Sequence, residues 1–202
     1  MKQVIQIRCK NNKKSQKVEI GSTLFDIFSA FDLKMTHGPV SARVNNKVEG
    51  MHYRVYNSKD VEFLDMTSSS GSRTYTRTLF FVLCKAVQDI YPATDVVIDI
   101  PVSNGFYVDI RLGRPVVDED VNIIRRRMQE IIDARMPIRR FTVPTEEAVA
   151  LFQEKGDVEK VKLLKTSGAI YTTYYKIGDY VDYYYGTLLT NTSQLYLFGL
   201  DK

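Results

Sequence analysis

Tyr75-Thr-Arg-Thr-Leu-Phe-Phe-Val-Leu-Cys-Lys-Ala-Val-Gln-Asp-Ile-Tyr-Pro92 is the run on which the reading of this chain turns. Leu79, Leu83, Ala86 and Ile90 recur at helical spacing, with Phe80 and Val87 beside them, so one helix face is apolar. Pro92 has no N–H to donate and stops the helix. Arg73 and Arg77 lie four apart and share a face if the helix begins early enough. Two guanidinium groups so placed suit a phosphate or carboxylate.

Working outward, Val96–Ile100 and Phe106–Ile110 read as strands joined through Ser103, Asn104 and Gly105, a hairpin turn by its Asn-Gly pair. Asp118 is expected to cap a helix with Val121, Ile124, Met128 and Ile131 on one side and Arg125–Arg127 largely on the other. Ile138–Val143 is a strand after Pro137. Thr145 opens a short helix, and Gly156 and Asp157 break it and cap another. From Ala169 onward the chain reads as tyrosine-rich strand: eight of the 13 tyrosines follow residue 170, in keeping with the high β-propensity of tyrosine.

Residues 1–66 form a different pattern. Ile5, Ile7 and Cys9 alternate with polar residues, a turn follows at residues 10–14, and Lys17–Ile20 returns as a second strand. Ser22 or Thr23 caps a helix bearing Leu24, Ile27, Phe28 and Phe31. Val40–Val44 and Val61–Leu64 supply further strands. Thr67–Ser72, all small and polar, reads as a linker. The expectation is therefore an α+β chain in two parts, 1–66 and 73–202, with 67–72 between them.

The formal charge of +4 is unevenly spread. Residues 1–66 hold 11 Lys and Arg against 7 Asp and Glu, whereas 67–202 hold 17 of each. Lys10, Lys13, Lys14 and Lys17 gather around one turn, an arrangement that suits phosphate and also a plain solvated hairpin. Two lone cysteines, Cys9 and Cys84, make no disulfide framework. No run approaches the roughly 18 apolar residues of a membrane span. The first residues alternate as a strand without a signal-peptide core, so a cytoplasmic location is expected and no membrane partner. Neither GxxxxGK[ST] nor a Ser/His/Asp or Cys/His arrangement is present. Asp99 and Asp109 could approach one another on adjacent strands. Exposed strand carboxylates explain them as well.

Two resemblances are carried by these residues. Ile20-Gly-Ser-Thr-Leu-Phe-Asp-Ile27, Ser41-Ala-Arg-Val-Asn-Asn-Lys-Val48 and Val61-Glu-Phe-Leu64 resemble a TGS domain, a ubiquitin-like β-grasp module. The helix at 75–92, the turn at 103–105, and the later helix, strand and helix in order resemble the second additional (editing) domain of threonyl- and alanyl-tRNA synthetases. In that family the helix carries HxxxH, and a Cys and a His four residues apart follow a Val-Asp strand. The corresponding positions here are Arg77, Phe81, Tyr184 and Leu188. Guanidinium, benzyl, phenol and isobutyl groups make no zinc site of the usual thiolate, imidazole and carboxylate donors. The resemblance then implies a retained scaffold, no catalytic residue, no metal and no aminoacyl-tRNA hydrolysis.

Gly-Ser-Arg-Thr-Tyr-Thr-Arg-Thr-Leu and Asp-Tyr-Tyr-Tyr-Gly also resemble the N-terminal part of a bacterial uridine-kinase-like family. In it such domains precede a P-loop nucleoside kinase. That resemblance implies a regulatory or ligand-recognition region for a nucleotide, with a kinase domain of the same chain beyond residue 202 using ATP and Mg. This stretch itself would hold no cofactor. The ligand contacts expected on this reading are Arg73, Arg77, Lys85, Asn104, Tyr107 and Tyr184. RNA or phosphate contacts are expected at Lys10, Lys13, Lys14 and Lys17. The alternatives are an RNA- or tRNA-binding module and an aminoacyl-tRNA deacylase with rearranged residues.

Overall fold

The computed structural model describes residues 3–103 and 105–202, and its architecture is mixed α+β. By compactness the chain falls into two units, Met1–Met136 with Thr187–Lys202, and Pro137–Gly186. No helix among the described residues is long and apolar enough to cross a membrane.

The first unit begins with β1 (Val4–Cys9), β2 (Ser15–Glu19), helix α1 (Leu24–Ala30), β3 (Ser41–Val44), β4 (Lys47–Glu49) and β5 (Lys59–Leu64). The five strands form one sheet in the order β2-β1-β5-β3-β4, with β1 and β5 parallel. Alternation decides the faces. Ile7 and Cys9 on β1 are fully buried, whereas Gln6 and Arg8 point away and are exposed. Thr23 caps α1: its hydroxyl accepts the Asp26 N–H, and the Asp26 carboxylate accepts the Thr23 N–H at 2.8 Å. Two of the helix's orphan donors are thereby satisfied. Leu24, Ile27 and Phe31 then bury against Val44, Val61 and Phe63, each contributing about 1.5–3 kcal/mol of apolar burial.

Helix α2 spans Ser69–Ile90 and starts earlier than the sequence pattern suggests. Thr67–Ser72 was expected as linker, yet Ser69–Ser72 are its first turn. Ser68 is the cap, accepting the Gly71 N–H at 3.1 Å and donating to the Asp65 carbonyl at 2.8 Å. Gly71 permits this closeness, since a Cβ there would stand 1.8 Å from the Asp65 oxygen. Leu83, Ala86 and Val87 are buried as expected, and the buried face also takes in Thr74, Thr78, Phe81 and Val82, while Leu79, Phe80 and Ile90 are only half-buried.

A two-stranded hairpin follows, β6 (Val96–Val102) and β7 (Gly105–Ile110), with Phe106 packed edge-on to Phe80 of α2. Helix α3 (Asp118–Asp133) is capped at Val117 rather than by Asp118. Asp120 does the capping work, accepting the Val117 N–H at 2.9 Å. Its buried carboxylate also takes the Arg114 guanidinium at 2.6 and 2.7 Å and the Tyr91 hydroxyl at 2.6 Å. Those partners, Arg114 foremost, hold it far below the ordinary carboxylate range.

The segment 187–202 completes this unit, and here the expectation of continued strand is overturned. Beyond Tyr183 the only regular piece among the described residues is the 3₁₀ turn Thr192–Gln194. Thr187 meets the Thr74 hydroxyl at 3.2 Å, and the Leu189 N–H donates to the Thr78 hydroxyl at 2.9 Å. The Tyr75 hydroxyl accepts the N–H groups of Tyr196 and Leu197 at 2.9 and 2.8 Å and donates to the Leu197 carbonyl at 2.9 Å. Arg125 donates to the Leu200 carbonyl. Side chains of α2 and α3 thus satisfy backbone groups that a sheet neighbour would otherwise serve.

The second unit contains β8 (Arg139–Pro144), α4 (Thr145–Glu154), α5 (Val158–Thr166), β9 (Tyr171–Ile177) and β10 (Tyr180–Tyr183). Its strands are antiparallel in the order β10-β9-β8. Ala148, Phe152, Leu164 and Val181 form its core, with Tyr174 and Tyr183 packed alongside. Lys160 bridges Asp157 at 2.7 Å and Asp182 at 2.8 Å. Burial pulls its ammonium down, but the two carboxylates outweigh that and hold it above its ordinary value.

Candidate functional site

Two regions of the first unit gather most of the residues expected to meet a ligand. The first is the surface of α2. Arg73 and Arg77 stand on the same helix, one turn apart, with Arg73 exposed and Arg77 half-buried. Arg73 donates to the Ser70 hydroxyl at 3.1 Å, and neither guanidinium has a carboxylate partner among the described residues. Lys85, by contrast, is buried. It pairs with Asp89 at 3.0 Å, and the other Asp89 oxygen takes Arg127 of α3 at 2.9 Å. Its ammonium is committed to joining two helices. Tyr107 is exposed on β7. Asn104 lies outside the described residues, as does the side chain of Asp99.

The positions that the editing-domain resemblance sets against metal-holding residues carry side chains that are not usual metal ligands. Phe81 is fully buried on α2, Leu188 is buried in the 187–202 segment, and Arg77 is a cation. Tyr184 belongs to the second unit and is half-buried. β10 ends at Tyr183, so Tyr184 lies just past the strand and strand alternation does not fix its direction. Among the described residues no cluster of three or more His, Cys, Asp or Glu is placed to hold a metal ion. The donor set does not fit zinc, and no chemistry is routed through one.

The second region is the first sheet. Lys10, Lys13 and Lys14 are exposed around the β1–β2 turn, and Lys17 is exposed on β2. None of the four has an acidic partner among the described residues. Lys13 takes a left-handed backbone, φ +59°. Asn12 accepts the Lys14 N–H at 3.0 Å. Asn11 ties the turn to β5, donating to the Phe63 carbonyl at 2.9 Å and accepting its N–H at 2.8 Å. The lysines therefore project from an anchored turn.

Beside them lies a groove of about 330 Å³ lined by Gln6, Arg8, Ser15, Asn45, Ser58, Lys59 and Asp60. Strand register builds it. Arg8 of β1 lies opposite Ser15 of β2 on one side and Asp60 of β5 on the other. Asn45 closes the row, accepting the Asp60 N–H at 3.1 Å. In the neighbouring row Gln6 lies opposite Lys17 and donates its N–H to Ser58 at 3.2 Å. Arg8 and Asp60 are 4.0 Å apart, Arg8 largely exposed and Asp60 half-buried, so the pair is loose and open to further hydrogen bonds. Sequence reasoning named the four lysines and none of these groove residues. The alternation of β1 marked Gln6 and Arg8 as outward, but pairing with Asp60 joins positions 52 apart.

No family model matches this chain. It is 28% identical over 181 residues to the threonine–tRNA ligase of Acetivibrio thermocellus, covering 89% of this chain and 28% of that protein. It is 29% identical over 193 residues to that of Clostridium kluyveri, covering 95% of this chain and 30% of the relative. Against that of Syntrophotalea carbinolica it is 31% identical over 177 residues, covering 87% and 28%. The chain thus spans less than a third of the length of the curated relatives it matches. The synthetase part of the expectation is supported by these relatives. The uridine-kinase part gains no support from them.

Proposed function

We propose that this chain is a non-catalytic, RNA-contacting region of the threonine–tRNA ligase type. Residues 1–66 act as a TGS-like module, and residues 73–202 keep the frame of an editing domain without its chemistry. Similarity along nine-tenths of the chain to proteins named for tRNA is the observation that carries this reading. The strand order β2-β1-β5-β3-β4 around α1 supports the TGS-like part. The unpaired lysines of the β1–β2 turn supply cations for phosphate. Arg73 and Arg77 offer a second, smaller phosphate contact on α2.

The editing alternative requires a base, a thiol or a metal where Arg77, Phe81, Tyr184 and Leu188 stand. None of these side chains supplies one near neutral pH. Mischarged tRNA is accordingly expected to keep its amino acid in the presence of this protein.

The test is tRNA binding across a salt series. Replacing Lys10, Lys13, Lys14 and Lys17 with Glu is expected to weaken binding at least a hundredfold. It should also flatten the slope of log affinity against log salt by about 3 if each lysine meets one phosphate. Arg77→Ala is expected to have a smaller effect of the same kind. Salt-independent binding, or binding untouched by the lysine reversal, removes the reading.

A further inference from the structure

We propose that the groove on the outward face of the first sheet is a ribose–phosphate subsite. It takes one nucleotide of RNA and distinguishes RNA from DNA without reading the base. This rests on the RNA-contacting role above and adds to it a selectivity that the lysines cannot provide.

Three observations carry it. The groove is open to solvent and offers about 330 Å³, within the roughly 300–1,000 Å³ typical of ligand sites and enough for a sugar and its phosphate. Its lining pairs a cation with an acceptor across one strand step: Arg8 and Asp60 face the same side in register and are only loosely joined at 4.0 Å. Arg8, helped by Lys59 at the rim, offers the forked N–H donors that match a phosphate. Asp60 offers carboxylate oxygens, which accept from a ribose 2′-hydroxyl and find no such donor on deoxyribose. Ser15, Ser58 and Asn45 surround the pair with short polar groups.

The third observation is what the lining omits. Among the described residues no aromatic side chain borders the groove, and stacking on aromatic faces is how bases are usually held in single strands. A site without one grips the sugar and phosphate and leaves the base outside. The lysine turn continues from the same two strands, Lys17 lying opposite Gln6. Neighbouring phosphates therefore run from the groove towards Lys10, Lys13 and Lys14. A 2′-hydroxyl beside a phosphate is presented both by a single strand and along the minor groove of an RNA duplex, and the two sources are separated by experiment.

Fluorescence anisotropy with a mixed-sequence 12-nucleotide RNA, the same sequence as DNA, its 2′-O-methyl form, and an RNA hairpin duplex tests this. The wild type is expected to prefer RNA over DNA by about tenfold, the contribution of one charge-assisted hydrogen bond. The 2′-O-methyl form should behave as DNA. Asp60→Val, a strand-compatible change that removes every acceptor, is expected to abolish the preference while leaving DNA affinity unchanged or raised. Arg8→Ala is expected to weaken RNA and DNA alike. Whichever of the single strand and the duplex shows the preference, and loses it with Asp60→Val, is the source recognised. Equal wild-type affinity for RNA and DNA overturns the subsite. So does a preference that survives Asp60→Val. If the lysine reversal still weakens RNA binding in those cases, the RNA-contacting role stands and only the subsite falls. If the wild type binds neither nucleic acid, both fall together.

Discussion

Lys85 and the four lysines of the β1–β2 turn carry the same ammonium group, and the fold treats them in opposite ways. Lys85 is buried in α2 and held to Asp89, which is shared with Arg127 of α3. Lys10, Lys13, Lys14 and Lys17 stand in solvent with no acidic partner among the described residues. A buried charge must be paired, because the loss of hydration is otherwise uncompensated. An exposed one is free to meet a ligand whose counterions it displaces. Within this unit, the Lys85 end of α2 is framework, whereas the four lysines of the β1–β2 turn lack carboxylate partners among the described residues.

The largest expected effect tests the first half of that contrast. Lys85→Ala removes a buried stem and one of two cations on Asp89. It is expected to lower unfolding stability by about 3 kcal/mol, read from denaturant melts. Each of Lys10→Ala, Lys14→Ala and Lys17→Ala is expected to stay within about 0.5 kcal/mol of the wild type. Similar effects at all four positions would erase the distinction.

A smaller effect is expected where α2 holds the 187–202 segment. Tyr75→Phe strips a hydroxyl that serves two N–H groups and one carbonyl. The expected loss is about 1–2 kcal/mol, because three part-buried backbone groups lose one shared partner. Hydrogen exchange at Tyr196 and Leu197 should quicken, while the turn at Lys10–Lys14 is unchanged. Unaltered exchange would show that the segment is held by its apolar contacts alone.

The ionised cluster around Asp120 gives a pH signature. Its carboxyl is held far below the ordinary range by Arg114, Tyr91 and the Val117 amide. A carboxylate with a lowered native pKa contributes stability that is complete above the unfolded value, about 3.9. That contribution is lost as pH falls below it towards the native value. Asp120→Asn is therefore expected to be less stable than the wild type at neutral pH and to lose less on going from pH 4 to pH 2. Parallel acid profiles would mean that other carboxylates govern the acid limb.

The contrast also explains what the sequence disclosed. The helix of α2, the strand pairs and the lysine turn were legible because each is a local pattern of spacing or charge. The helix start was hidden by Thr67–Ser72, whose small residues read as linker. Their purpose becomes visible only when Gly71 is seen against the Asp65 carbonyl. The 187–202 segment was read as strand because tyrosines and leucines favour extended chain. Its backbone partners on α2 are side chains over 110 residues away, a relation no window along the chain can show. The groove was hidden for the same reason: Arg8 and Asp60 meet only through the parallel pairing of β1 with β5.

The smallest expected effect tests the second half of the contrast. Lys13 occupies a left-handed backbone with φ +59°, where an L-residue with a Cβ is disfavoured and glycine is not. On backbone grounds alone, Lys13→Gly should gain a few tenths to about 1 kcal/mol, less the entropy that glycine adds to the unfolded chain. The same change removes one of the four cations on the turn, so RNA affinity should fall a few-fold with a shallower salt slope. Stability and binding are thus expected to move in opposite directions from one substitution. Lys13→Asn, which also tolerates the left-handed region, should repeat the pattern. A loss of stability in both variants would mean that the lysine side chain helps hold the turn. The exposed lysines would then be framework as Lys85 is, and the contrast would fail at its most exposed residue.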